Sequence, residues 1–337
     1  MPRKARIDAP GALYHIIIRG IEWKNIFLDD GDRNNFLERL GNLLIESSTA
    51  CYAWALIPNH VHILLRAGAV PLATVMRRLL TGYAVTYNRR HKRHGQLFQN
   101  RYKSVLCQEK PYFLQLIRYI HLNPLRAKII QNVKDLDTYH YTGHSVIMGK
   151  RENSWQDVDY VLQKFHADTT LARKMYLTYV WKGIQEGQRY DLIGGGLIRS
   201  AGGWSRVKAL RKRGDRLKGD ERILGDSSFV SEVLQLSAEQ LDRRHHLKIK
   251  GYDLRKLGLR VASLFGIEPE QIYTSGKYPD VVKSRSVFCY WAVRELGENA
   301  TVLAKKLGLS QPAVSISVKR GEKIVRELKL ELLESKH

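Results

Sequence analysis

The stretch Tyr52–Leu65, YAWALIPNHVHILL, decides the fold. Two short runs rich in strand-forming residues flank Pro58-Asn59, a pair with turn chemistry, so residues 52–65 read as a β-hairpin. Side chains alternate across a strand, so His60 and His62, at the head of the second run, share one face. Two imidazoles on one strand face are a donor pair for a single metal ion, though the His-x-His pattern alone is common.

Working outward, Leu13–Arg19 (LYHIIIR) reads as a strand, and Arg33–Glu46 carries Phe36, Leu37, Leu40, Leu43 and Leu44 at helical spacing. Pro71 opens a helix that runs to about Arg90, and Arg101–Leu106 reads as a further strand. Pro111 opens another helix and Pro124 stops it, because the residue before a proline avoids the helical region. The order β-α-β-β-α-β-α is the split-βαβ, ferredoxin-like pattern with one added helix, an α+β class. It predicts an antiparallel sheet with helices on one face.

Beyond Tyr139 the pattern is less regular. Val158–Phe165 and Thr170–Trp181 read as helices, Gly194-Gly195-Gly196 and Gly202-Gly203 as loops, and Arg206–Lys218 as a basic run with helical spacing, either a solvated face or a contact to a DNA backbone. The last hundred residues read as all-helical: Leu254–Phe265, Lys283–Leu296, Thr301–Leu307 and Gln311–Lys319. Gly308 separates the last two, Ser310 is placed to cap and Pro312 falls in the first turn, which is a helix-turn-helix signature. The expected organisation is a catalytic domain over residues 1–145, a helical and basic connecting region over 146–237, and a helix-turn-helix domain over 238–337.

Charge narrows the function. Lys and Arg number 56 against 33 Asp and Glu, a net charge of +23 in 337 residues. Such an excess points to a polyanion, most often nucleic acid. Between Arg66 and Lys134 the only acidic residue is Glu109. No apolar run approaches the roughly 20 residues that cross a bilayer. The basic start Met1–Arg6 is not followed by a signal-type apolar segment. Cys51, Cys107 and Cys289 are too few and too scattered for a disulfide framework or a cysteine-based zinc site. The expectation is a cytoplasmic, nucleoid-associated protein with reduced thiols.

The segment Tyr119-Ile120-His121-Leu122-Asn123-Pro124 adds a nucleophile candidate. Tyr119 and Asn123, four apart on a helix, share a face, while His121 faces elsewhere. Each has an ordinary structural reading as well: a core tyrosine, and a polar residue closing a helix before proline.

Taken together, AWALIPNHVHILLR (Ala53–Arg66), GQLFQNRYKS (Gly95–Ser104) and LIRYIHLNPLRAKI (Leu116–Ile129) resemble the single-tyrosine HUH transposases, and within them the REP-associated tyrosine transposases related to the insertion-sequence 200/605 enzymes. The resemblance spans roughly Ala5–Ser145. It implies His60 and His62 as metal ligands, Asn123 as a third ligand where relatives often carry Gln, and Tyr119 as the nucleophile. It also implies a divalent ion, Mg²⁺ or Mn²⁺, and cleavage and rejoining of single-stranded hairpin DNA through a covalent 5′-phosphotyrosine, by a monomer or a homodimer. A tyrosine ester conserves the free energy for rejoining, consistent with the lack of a Gly-x-x-x-x-Gly-Lys-Ser/Thr nucleotide loop. Arg77, Arg78, Arg89, Arg90, Arg101 and Lys103 are expected on the DNA backbone, with Tyr83, Tyr87 and Phe98 as candidates for stacking on unpaired bases, core packing being the expected role of at least half of these three. A non-catalytic hairpin-binding regulator that retains the fold is the alternative.

A second resemblance covers roughly Arg255–Ile324, which is similar to the DNA-binding domain of the bacterial replication initiator DnaA. It implies duplex DNA binding, with Gln311 and Ser315 toward bases and Lys283, Arg285, Lys319 and Arg320 toward phosphates. The Asp-His-Thr-Thr signature of true initiators is missing, so their site preference does not transfer.

Overall fold

The computed structural model describes residues 6–7, 9–68, 70–187, 189–196, 218–274 and 278–333. Gly202-Gly203 and the basic run from Arg206 through residue 217 lie outside the described residues. The chain divides into two compact units. One comprises Met1–Ile45, Thr49–Gly68 and Val75–Leu234; the other comprises Glu46–Ser48, Ala69–Thr74 and Gln235–His337.

The first unit is built on a five-stranded sheet of β1 (Leu13–Arg19), β2 (Ala50–Ile57), β3 (His60–Arg66), β4 (Lys103–Cys107) and β5 (Ile223–Leu224), in the order β2-β3-β1-β4-β5. The first four strands pair antiparallel in the ferredoxin-like order expected from the strand and helix succession. β5 joins β4 in parallel, so the sheet is mixed rather than antiparallel throughout. α1 (Asp30–Ser47) connects β1 to β2, and α2 (Leu72–Arg90) connects β3 to β4. After β4 come α3 (Glu109–His121), the single turn α4 (Asn123–Arg126), α5 (His144–Ile147), α6 (Val158–Leu162) and α7 (Thr169–Lys182).

The strands are buried on both parities. β1 is buried from Leu13 through Ile18, and β2 from Cys51 through Ile57. A sheet covered on one face would alternate, so the expectation of helices on one face is corrected. One layer is the core of Leu13, Tyr52, Leu64 and Val105 with Phe113, Leu116 and Ile120 of α3. Ile147, Val161, Leu162, Ala172, Tyr176, Val180 and Leu192 belong to that same core. The segment expected to connect two domains thus closes the hydrophobic core of the first unit. Phe27, Phe36 and Tyr83 form a separate buried aromatic cluster joining α1 to α2, with Tyr83 Oη donating to the Ile26 carbonyl at 2.5 Å.

The helices of the C-terminal part are α8 (Ser227–Ile249), α9 (Leu254–Phe265), α10 (Pro279–Arg294), α11 (Ala300–Leu307) and α12 (Gln311–Glu327). α11 ends at Gly308, whose φ of +62° suits glycine, and Ser310 Oγ accepts the Ala313 N–H to start α12. α10 and α12 approach so closely at Gly321 that a Cβ there would lie 2.0 Å from the Ser286 carbonyl oxygen. Among the described residues no helix is long and apolar enough to cross a membrane, and the three cysteines are buried and free.

Candidate active site

Sheet register assembles the site. His60 lies opposite Arg19 of β1, and His62 opposite Ile17, which in turn faces Lys103 of β4. His15, two residues before Ile17, therefore projects from the same face as His62. Tyr119, near the end of α3, is set edge-on to both rings, 5.5 Å from His62 and 5.9 Å from His15 between centroids, while His60 and His62 are 5.1 Å apart. His60, His62, Tyr119, Asn123, Arg101 and Lys103 all line one cavity of about 850 Å³, together with Arg6, Arg19, Trp23 and Arg126. The sheet, α3 and the start of α4 thus bring together the two histidines, the tyrosine and the amide, from His60 to Asn123 in sequence.

Hydrogen bonds set the tautomers. His15 Nδ1 lies 3.0 Å from the Leu192 carbonyl, which only accepts, so Nδ1 carries the proton. His15 Nε2 is then a lone pair, and it lies 2.9 Å from His62 Nδ1, which must donate to it. His62 Nε2 is left as a lone pair. The same logic holds for His60: Asn59 Nδ2 donates to the Trp23 carbonyl at 3.2 Å, so Asn59 Oδ1 accepts from His60 Nδ1 at 2.7 Å and His60 Nε2 is bare. Burial pushes His15 down to about 4 and His60, helped by the Arg19 charge, to about 4; His62 is held well below the usual histidine range by burial and by its charged-form repulsion with His15, His60 and Arg19. All three imidazoles are neutral at physiological pH.

Asn123 is buried at the start of α4, and its Nδ2 donates to the Tyr119 and Ile120 carbonyls at 2.9 and 3.3 Å. That leaves Oδ1 as its acceptor atom. The residues present fit a divalent cation: two neutral imidazole lone pairs with ordered second partners, and an amide oxygen on the same cavity wall. The Arg126 guanidinium stands 5.3 Å from the centre of the Tyr119 ring. Its charge and that of Arg19 are both coupled to the phenol. His15, Arg19, Trp23 and Arg126 escaped sequence reasoning; the alternation Leu13-x-His15-x-Ile17 could have placed His15 on the histidine face, but nothing local marks the others.

Another group of possible ligands, Asp29, Asp32 and His91, lies within 4.8 Å. Arg90 already occupies it, with contacts of 2.7 Å to Asp29 and 2.6 Å to Asp32, so it is an ion-pair network. Arg90, expected on DNA, is committed there. Arg77 and Arg89 are exposed on α2, Arg78 is half-buried, and none of the four lines the cavity. Tyr83 and Tyr87 are buried, with hydroxyls donating to the Ile26 and Asn25 carbonyls, so these two are core residues rather than stacking platforms; Phe98 is half-buried against Tyr83.

In the helical unit, Lys283, Lys319 and Arg320 are exposed, and Gln311 is half-buried at the start of α12. Two expectations fail there. Arg285 is buried and donates to the Ile272 and Thr274 carbonyls, tying α10 to the preceding turn. Ser315 is fully buried, and its Oγ donates back to the Gln311 carbonyl at 3.1 Å. Both side chains are spent on hydrogen bonds inside the helical unit.

The ferredoxin-like sheet thus sets the His-x-His pair against a helix-borne tyrosine in a basic cavity. Residues 9–123 match the family model described as "Transposase IS200 like". No curated protein matches the chain. A solved structure described as "Structure of the REP associates tyrosine transposase bound to a REP hairpin" is similar at 10% identity and a TM-score of 0.38, over 47% of this chain and 98% of that one.

Proposed function

We propose that the protein cleaves and rejoins single-stranded DNA at hairpin sequences, with Tyr119 as the catalytic nucleophile. The observation that carries this reading is the placement of Tyr119 against two imidazoles whose Nε2 lone pairs are both left bare. The phenol oxygen attacks a backbone phosphorus in line, the bond to the 3′-oxygen breaks, and a 5′-phosphotyrosine ester remains to be reversed by an incoming 3′-hydroxyl. The positive charges of Arg19 and Arg126 beside the Tyr119 phenol favour its ionised, attacking form. His60 Nε2, His62 Nε2 and Asn123 Oδ1 are the atoms that would hold Mg²⁺ or Mn²⁺. Bound there, the ion would polarise the scissile phosphate and offset its developing charge. Arg101 and Lys103, on the cavity wall, hold neighbouring phosphates.

The C-terminal helical unit supplies duplex binding through Lys319 and Arg320 on α12, with Gln311 at its N-terminus and Lys283 on α10. The test of the catalytic reading is a trapping assay. Protein incubated with 5′-flanked hairpin DNA and Mn²⁺ should yield an adduct stable to denaturant, absent in Tyr119→Phe. Cleavage to free ends without any adduct would replace the reading with simple hydrolysis. Binding without cleavage would replace it with a hairpin-binding regulator.

A further inference from the structure

We propose that Arg19 and Trp23 form a nucleotide subsite beside the candidate active site, in which the Trp23 indole stacks an unpaired base of the bound strand and the Arg19 guanidinium takes a phosphate next to it. The inference rests on the single-stranded DNA reading above and adds the place where a base is held.

Trp23 is 57% exposed and lines the cavity that holds His60, His62 and Tyr119. The turn that carries it holds the indole at the cavity wall. Glu22 and Trp23 both sit at positive φ, +51° and +62°, a conformation disfavoured for residues that carry a Cβ. The turn tolerates it because its backbone is tied down at every step. Gly20 N–H donates to the Asn59 carbonyl, Lys24 N–H donates to Ile21, and Gly20 itself admits no side chain, since a Cβ would meet the Lys24 carbonyl oxygen at 2.0 Å.

Arg19 completes the subsite. Its guanidinium carbon lies 3.6 Å from the centre of the Trp23 ring, so one face of the indole is covered and the guanidinium plane is oriented. No carboxylate pairs with Arg19 among the described residues, whereas Arg66, Arg90, Arg118, Arg189 and Arg222 each have one. A cation left uncompensated next to two neutral imidazoles and a tyrosine is a site for an anion. A base on the open face of the indole and a phosphate on the guanidinium are one nucleotide apart, which is the arrangement of a stacking platform in a basic groove. Asn59 links the platform to the chemistry, since its amide bridges the Trp23 carbonyl and the His60 ring.

Stacking is tolerant of sequence, so the probe is an oligothymidylate single strand carrying one 2-aminopurine, moved position by position, with the full-length protein. One position should lose fluorescence on binding. Trp23→Phe should retain the quenching. Trp23→Leu should abolish it and weaken single-strand affinity roughly ten- to a hundredfold, and Arg19→Gln should weaken it with a reduced salt slope. Duplex affinity, carried by the helical unit, should be unchanged in all three, and urea melts with the wild-type midpoint should verify that the first unit is folded. Unaltered quenching and affinity in Trp23→Leu would overturn the subsite, even if adducts with Tyr119 form normally. Quenching that depends on Trp23, in a protein that never forms an adduct, would leave the subsite standing and remove the transferase reading. Failure of the wild-type protein to bind the single strand would overturn both.

Discussion

Two clusters of histidine and tyrosine lie at α3, and they differ in where their hydrogen-bond chains end. On the cavity side, Leu192 carbonyl, His15 and His62 form a chain whose last atom, His62 Nε2, has no hydrogen-bond partner among the described residues, and His62 lines the cavity. In the core, Asp137, His144, Tyr176 and His121 form a chain of contacts of 2.7–2.8 Å. It begins at a carboxylate and ends at His121 Nε2, which is sealed away with no partner. Both contain two imidazoles and have a tyrosine within reach. The cavity-side chain leaves a lone pair where a substrate or an ion can reach it; the core chain spends its polarity on joining α3 to α5 and α7. On the proposed reading, reactivity follows from access and from the last free atom, not from residue type.

Exchanging the two tyrosines tests this most sharply. Tyr119→Phe should reduce adduct formation by roughly 10⁴-fold or more while leaving stability nearly unchanged. Tyr176→Phe should keep adduct formation and lose about 2–4 kcal/mol of stability, because two buried imidazole nitrogens lose their shared partner. Denaturant melts and trapping assays on both variants decide it, and the reverse outcome would make the core chain the reactive one.

The histidines come next. His60→Ala or His62→Ala should lower cleavage by roughly 10³-fold with the fold intact, since both rings border the cavity. His144→Ala should destabilise instead.

Acid should loosen the first unit through both clusters. His15 titrates near 4 when folded and near the ordinary histidine value when unfolded, so between those limits only the unfolded chain takes up the proton. Stability is complete above about pH 6.5 and falls as pH drops toward 4, by roughly 3 kcal/mol for His15 alone. His121 and His144 shift in the same direction, so the core chain steepens the slope. Urea melts between pH 7 and 4.5 measure it, and His15→Phe should flatten part of it.

His15→Phe should also free His62 to adopt either tautomer. Mn²⁺ affinity, read by titration, should weaken roughly 10- to 100-fold, and ¹⁵N shifts of His62 in the metal-free protein should show a mixture of tautomers. Asn123→Ala should be mildest, a few-fold in cleavage, because a water can replace one neutral oxygen donor.

What the sequence determined by itself is what local periodicity determines. Alternation placed His60 and His62 on one face, helical spacing placed Tyr119 and Asn123 together, and Gly308 and Ser310 marked the turn between α11 and α12 because caps act within a few residues. The order of strands and helices was enough for the ferredoxin-like core. Tertiary structure decided the rest. The Leu192 carbonyl reaches His15 across 177 residues, and Ser315 and Arg285 are buried by helix packing that no window of the sequence contains. Trp23 owes its exposure to a turn closed by Asn59 from another strand end. These are consequences of sheet register and loop closure, which couple residues far apart in the chain, whereas alternation and helical spacing are set by each residue's nearest neighbours.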